Sequence, residues 1–185
     1  RWGVAEFVAA EEMDRYRGFW WSHDGTALLA ARVDDTPVDR WWIADPSVPE
    51  RPPTEVAYPA AGTPNAAVSA WIVPLDGAPV EVEWDHDAWP YLAQGAWDDH
   101  GPMVTLFPRD QRSLEVRAVD PTTGSTSVLW VDQDRAWVER TAGTPDRLSD
   151  GRLVVVADRD GTRRLLVGGE PVTPDDMCVR LVSHV

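Results

Sequence analysis

After Arg15 no stretch of this chain sustains a helical period; short aromatic and β-branched runs are instead cut at close intervals by Asp-Gly, Thr-Gly and Asp-Pro pairs. Such pairs close tight turns, so the runs read as consecutive antiparallel strands. GFWWS (18–22) leads through His23-Asp24-Gly25 into ALLAARVDD (27–35), then past Thr36-Pro37 into DRWWIADP (39–46). TEVAYP (54–59) is expected as a fourth strand after the prolines at 49, 52 and 53. AVSAWIVPL, PVEVEW, YLAQGAWDD, MVTLFPRD, SLEVRAVDP and STSVLWVD continue the pattern to Asp132, and residues 146–167 run strand, Asp-Gly, strand, Asp-Gly, strand. Gly168-Gly169 then turns into EPVTP.

Many short strands at even spacing make a sandwich, a barrel or a propeller. The recurring unit decides among them. An aromatic strand, an x-Asp-Gly turn, an apolar strand and a strand ending in Asp-Pro span Trp20 to Pro46, return loosely from Ala96 to Pro121 and in part from Arg147. Units of that length, each one small sheet, are the mark of radially arranged blades. The expected fold is all-β: a partial β-propeller of antiparallel, mostly four-stranded blades, with one short helix near the N-terminus. Residues 1–185 are expected to form part of one domain. Trp20, Trp21, Trp41, Trp42 and Trp71 sit within strands and are expected to pack between blades and not to bind carbohydrate.

The helix is expected just ahead of the first strand. Val4, Phe7 and Val8 recur at helical spacing, and nothing from Ala5 to Arg15 breaks a helix. Glu11 lies one turn beyond Phe7 and Glu12 one turn beyond Val8, so two carboxylates emerge beside the apolar face. Two readings follow. Either both pair with Arg15 as a solvated face worth ~0.2–0.5 kcal/mol per pair, or they hold a cation from outside.

A formal net charge of -14, spread along the chain, argues against nucleic acid as partner and favours a cationic ligand. Cys178 is the single cysteine, which excludes an internal disulfide and a cysteine-rich zinc site. No window approaches the ~20 apolar residues of a membrane helix. Asp85-His86-Asp87 and Asp98-Asp99-His100 lack a further ligand at recognised spacing and read as polar loops, so no metal or cofactor is expected. Arg163-Arg164 reads as a solvated edge that discourages strand pairing. There is no G-x-S-x-G, and His23, His86, His100 and His184 lack a matching Ser and Asp context, so no catalytic residue is assigned. A start at Arg1 without an initiator Met leads us to expect an excised segment.

AEFVAAEEMDRYRGFWWSHDGTALLAARVDDTPV (5–38) and YPAAGTPNAAV (58–68) resemble the N-terminal β-propeller of the dipeptidyl peptidase IV family, particularly its bacterial members, in the prolyl oligopeptidase clan of serine peptidases. A Glu-Glu pair before Trp-Trp-Ser-x-Asp-Gly and the later Tyr-Pro-x-Ala-Gly-x-x-Asn-x-x-Val carry the resemblance, which weakens beyond them. His23 stands where the family's turn usually has Pro. The resemblance implies that the propeller covers a C-terminal α/β-hydrolase domain and that Glu11 and Glu12 hold the free N-terminal ammonium of a peptide substrate. Dipeptides ending in Pro or Ala would then be released, with the Ser, Asp and His of catalysis downstream of Val185. A substrate-binding propeller arginine would lie upstream of Arg1. The implied partners are a peptide with a free N-terminus, the hydrolase domain of the same chain and a homo-oligomer. Two alternatives stand beside this. One is a non-catalytic interaction scaffold; the other is a glycosidase, disfavoured because its two carboxylates face each other across ~5–9 Å.

Overall fold

The computed structural model describes residues 1–185, and all of its strand pairings are antiparallel. The first sheet runs in the order β1 (Gly3–Val4), β2 (Arg17–Trp21), β3 (Ala27–Asp34), β6 (Ala67–Pro74), β7 (Val80–Glu81). β4 (Arg40–Ile43) and β5 (Thr54–Ala57) form a separate two-stranded ribbon between β3 and β6. The second sheet holds β8 (Tyr91–Asp98), β9 (Gly101–Phe107), β10 (Ser113–Val119) and β11 (Thr126–Gln133); the third holds β12 (Asp146–Arg147), β13 (Leu153–Arg159), β14 (Thr162–Val167) and β15 (Glu170–Pro171). The one helix, α1, is Phe7–Glu12.

The ribbon corrects the expected run of four consecutive strands. β3 skips β4 and β5 and pairs with β6, placing Leu29 against Ile72, Ala31 against Ala70 and Val33 against Val68. Those six side chains are all buried, whereas β4 is exposed at each of its positions. A strand takes the partner that completes a buried face, and RWWI offers no alternation to complete one.

The second sheet lies between the other two. Leu92, Val104, Leu106 and Val119 join Trp20, Leu29 and Ile72 of the first sheet in one core. Ala93, Met103, Phe107 and Val116 pack on the other side with Met13 and Val138, and Leu153 of β13 rests against them. Double coverage explains why PMVTLF (102–107) is buried at every position and does not alternate. Leu29, Leu92 and Leu106 are at most 1% exposed, and burial of such a side chain contributes ~1.5–3 kcal/mol. Trp20 lies flush on Gly95, where an added Cβ would come within 2.6 Å of the indole.

The tryptophans divide by which face is covered. Trp20 is buried as expected, but Trp21, Trp41 and Trp42 are 49%, 51% and 64% exposed. Trp21 points to the face of the first sheet opposite the core, beside Leu28 and Val73 in register, with Phe19, Ala30 and Trp71 forming the next row. A partly exposed apolar sheet face of this kind, with Phe19 39% and Trp21 49% exposed, drives association. The 185-residue chain is therefore expected to be larger than a monomer by light scattering at micromolar concentration, and Phe19→Ser with Trp21→Ser to shift it toward monomer. A monodisperse monomer of the unchanged chain would contradict this.

The sheets are also pinned at their margin. The β10–β11 turn reaches back to the first sheet, where Glu83 N–H donates to the Gly124 carbonyl at 2.8 Å and the Thr126 hydroxyl to the Glu83 carbonyl at 2.8 Å. No helix of the chain is long and apolar enough to cross a membrane.

Candidate functional site

α1 is an excursion between β1 and β2, whose pairing of Gly3 with Gly18 and Val4 with Arg17 brings the two ends of the excursion together. It is shorter than the span from Ala5 to Arg15 that the sequence allows. Glu6 caps its start, accepting from Val8 N–H at 2.6 Å and Ala9 N–H at 2.8 Å. Burial pushes the Glu6 carboxyl up from its usual pKa, while those two hydrogen bonds and the Arg15 charge oppose the rise. Met13 ends the helix, and Asp14 follows in the left-handed region at φ 57°.

That early end changes the role of Arg15. It is 2% exposed and does not pair with Glu11 or Glu12; its Nε donates to the Leu92 carbonyl at 3.1 Å and its Nη1 to the Arg17 carbonyl at 3.0 Å. Helical neighbour spacing no longer applies past Glu12, so the guanidinium turns inward and ties α1 to β8. Burial holds Arg15 below the ordinary arginine value; Glu6 opposes this and the nearby Arg140 adds to it. The solvated Glu-Glu-x-x-Arg face is thereby corrected.

Glu11 and Glu12 are both exposed at the end of α1. Glu11 lines a cleft of about 420 Å³ between α1 and the base of the ribbon, together with Phe7, Val38 and Ala57. Glu12 does not line it. Two arginines of the same cleft pair with other carboxylates that line it, Arg1 with Asp35 at 3.0 Å and Arg40 with Glu55 at 3.7 Å. The carboxylates thus face solvent without a cation from their own chain, a setting in which two adjacent acceptors can take the donors of an ammonium.

The second sequence motif braces the same place. Tyr58 meets Phe7 of α1 edge-on, with centroids 5.0 Å apart, and lies tilted against Trp41 of the ribbon at 4.6 Å. Asn65 Nδ2 donates to the Tyr91 hydroxyl at 2.9 Å, fixing the motif to β8. The β2–β3 turn is held by its own side chains. The Ser22 hydroxyl donates to Asp24 Oδ1 at 2.7 Å, Thr26 N–H donates to the same oxygen at 3.1 Å, and His23 pairs with Asp99 at 2.9 Å. The Ser22 hydrogen bond, followed by those from Thr26, holds the Asp24 carboxyl below its usual pKa.

The remaining candidates have structural partners. Asp98 accepts from Arg147 at 2.8 Å, His100 meets the Leu148 carbonyl at 3.2 Å, and Asp85 caps the N–H groups of Asp87 and Ala88. Arg163 is not a free edge charge, since it pairs with Glu139 at 3.2 Å and Asp158 at 3.3 Å. Arg140, which no local pattern singles out, donates to the Met13 carbonyl from a segment 127 residues away.

Comparison with known proteins identifies related sequences and structures. The family model described as "Dipeptidyl peptidase IV (DPP IV) N-terminal region" matches residues 1–172. Human dipeptidyl peptidase 8 is 26% identical over 143 residues, 64% of this chain and 16% of that protein. The probable dipeptidyl-aminopeptidase B of Aspergillus niger is 27% identical over 179 residues, 82% of this chain and 20% of that protein. Among solved structures, dipeptidyl peptidase 4 of Porphyromonas gingivalis superposes with a TM-score of 0.84 at 20% identity, covering 97% of this chain and 27% of that one. A putative dipeptidyl aminopeptidase IV from Bacteroides ovatus gives a TM-score of 0.73 at 20% identity, covering 92% and 25%. The chain spans a fifth or less of the length of these two curated relatives. With its antiparallel sheets and its matched sequence both of this kind, the chain belongs to the dipeptidyl peptidase IV N-terminal region family, the β-propeller region of dipeptidyl peptidases.

Proposed function

We propose that this chain is part of the substrate-recognition β-propeller of a dipeptidyl peptidase IV-like serine exopeptidase, and that Glu11 and Glu12 clamp the free N-terminal ammonium of its peptide substrate. Residues 1–185 are then several blades of one domain, and the nucleophile, base and oxyanion hole belong to a hydrolase domain outside them. The observation that carries this reading is the pair itself: two adjacent exposed carboxylates at the end of α1, with Arg15 turned away into the core. An ammonium offers three donors to them. Once the amine is fixed, ~3.3–3.6 Å per extended residue determines which carbonyl meets the nucleophile, so the clamp measures out a dipeptide. Pro or Ala is the expected residue before the cut bond.

A second reading, a non-catalytic interaction scaffold, is favoured only by the exposed Trp41, Trp42 and Ile43 of the ribbon. Substrate chemistry separates the two. In the protein that joins this chain to its hydrolase domain, Xaa-Pro amides with a free amine are expected to be cleaved and their N-acetyl counterparts to be refused. The 185-residue chain alone is expected to turn over neither, for lack of a nucleophile and oxyanion hole. Equal cleavage of acetylated and free substrates would remove the clamp, and cleavage of neither by the joined protein would favour the scaffold.

A further inference from the structure

We propose that Arg140 is a positioning residue for the Glu11–Glu12 pair, an inference that rests on the ammonium-clamp reading. Its Nη2 donates to the carbonyl of Met13, the residue directly after Glu12. α1 is only six residues long, too short to hold its own shape by local hydrogen bonding. Its end lacks the glycine that commonly closes a helix, and Asp14 takes the left-handed conformation that glycine would adopt without strain. A cationic donor on the last carbonyls is the other way to hold a helix C-terminus. Arg140 supplies it from across the molecule, on the segment between β11 and β12.

The same segment holds the other side of this residue. Val138 belongs to the same core cluster as the Met13 side chain, so the segment shares a core with Met13 while Arg140 bonds its carbonyl. The arrangement is costly for a purely structural brace. Arg140 Nε and Arg15 Nη2 are buried without a hydrogen-bond partner, and the two like charges are close enough for Arg140 to depress the Arg15 pKa further. Burial is the main cause holding Arg140 itself below its ordinary value, with Asp14 opposing it. An apolar residue would fill this space at lower cost. What a guanidinium adds is a directed bond to the carbonyl that orients the carboxylate-bearing turn.

The test uses the joined enzyme and free-amine dipeptidyl substrates. Arg140→Met is expected to raise KM ~10-fold, the scale of one charge-assisted hydrogen bond, while kcat changes less than ~3-fold. Arg140→Lys, which keeps a cationic donor, is expected to recover part of the loss. In a Glu11→Gln, Glu12→Gln background the Arg140→Met effect is expected to fall below ~2-fold, because both groups being positioned have lost their charge. A folded Arg140→Met enzyme with parental KM overturns the proposal, and so does an equal loss in both backgrounds, which marks ordinary support of the fold. If the Met variant does not fold, the same cycle is read with Arg140→Lys, where loss confined to the parental background supports positioning. Glu11→Gln and Glu12→Gln at parental kcat/KM would overturn the clamp and the positioning with it. Loss in the Glu variants without loss at Arg140 overturns the positioning alone.

Discussion

Glu11→Gln and Glu12→Gln in the joined enzyme are each expected to lower kcat/KM for free-amine dipeptidyl substrates by ~1.5–3 kcal/mol, about 10- to 150-fold. Each substitution keeps the shape of the side chain and removes one charge. The lost quantity is therefore a charge-assisted hydrogen bond and not packing, because both residues are exposed. The double variant is expected to fall short of the summed loss, since both carboxylates share one cation. Raising pH through the free amine's pKa of ~7.7–8 should weaken binding, because the neutral amine has no charge to offer; the midpoint moves upward to the extent that the bound ammonium is stabilised. In the Gln variants that upward displacement should shrink. Parental kcat/KM in both single variants, measured beside their melting temperatures, would leave the fold intact and the clamp refuted.

Gly124→Val is expected to destabilise the chain by ~2–5 kcal/mol, as ~1–2 kcal/mol for a left-handed residue with a Cβ plus ~1–3 kcal/mol for overpacking. Gly124 sits at φ 78°, and an added Cβ would collide with the Glu81 carbonyl in the backbone of β7. Backbone on one side and a turn on the other leave neither partner a rotamer to change. The loss should also release the Glu83–Gly124 and Thr126–Glu83 bonds that join two sheets. Gly161 provides the control: it has nearly the same φ, 80°, but nothing within 4 Å of an added Cβ. Gly161→Val should show only the conformational part. Urea midpoints of the two variants read the difference, and equal midpoints would show that the β10–β11 turn is not a joint.

Strands were legible in this sequence because their turns are chemically marked. Asp24-Gly25, Thr123-Gly124 and Asp160-Gly161 each end a run that becomes a strand, with the glycines at positive φ. Coverage was not legible. Trp20 and Trp21 are neighbours in one strand, yet which of them is buried depends on where the second sheet stacks, a fact absent from either residue's surroundings in the chain. The same limit hid the ribbon, since TEVA looks like a strand of any sheet until β6 claims β3. At the candidate site, Glu11 and Glu12 are marked in the sequence as paired carboxylates beside an apolar face, and the structure shows both exposed. Arg15 does not pair with them because helical spacing ends at Glu12 and does not reach it. Arg140 had no signal at all, its bond spanning 127 residues.

The two rungs that pair Gly3 with Gly18 and Val4 with Arg17 also determine how the Glu-bearing segment spends its entropy. Residues 5–16 form a loop whose ends are already joined when the first sheet forms, so its closure cost, growing only as ~(3/2)RT ln n, is met by the sheet and not by the helix. A six-residue helix would not persist alone. Suspended from a closed neck, it is held by the rest of the molecule: Ala9 is fully buried, Arg15 bonds the Leu92 carbonyl and Arg140 bonds the Met13 carbonyl. On the clamp reading proposed above, the neck and the bonds from Arg15 and Arg140 would together keep in place the origin from which a peptide is measured.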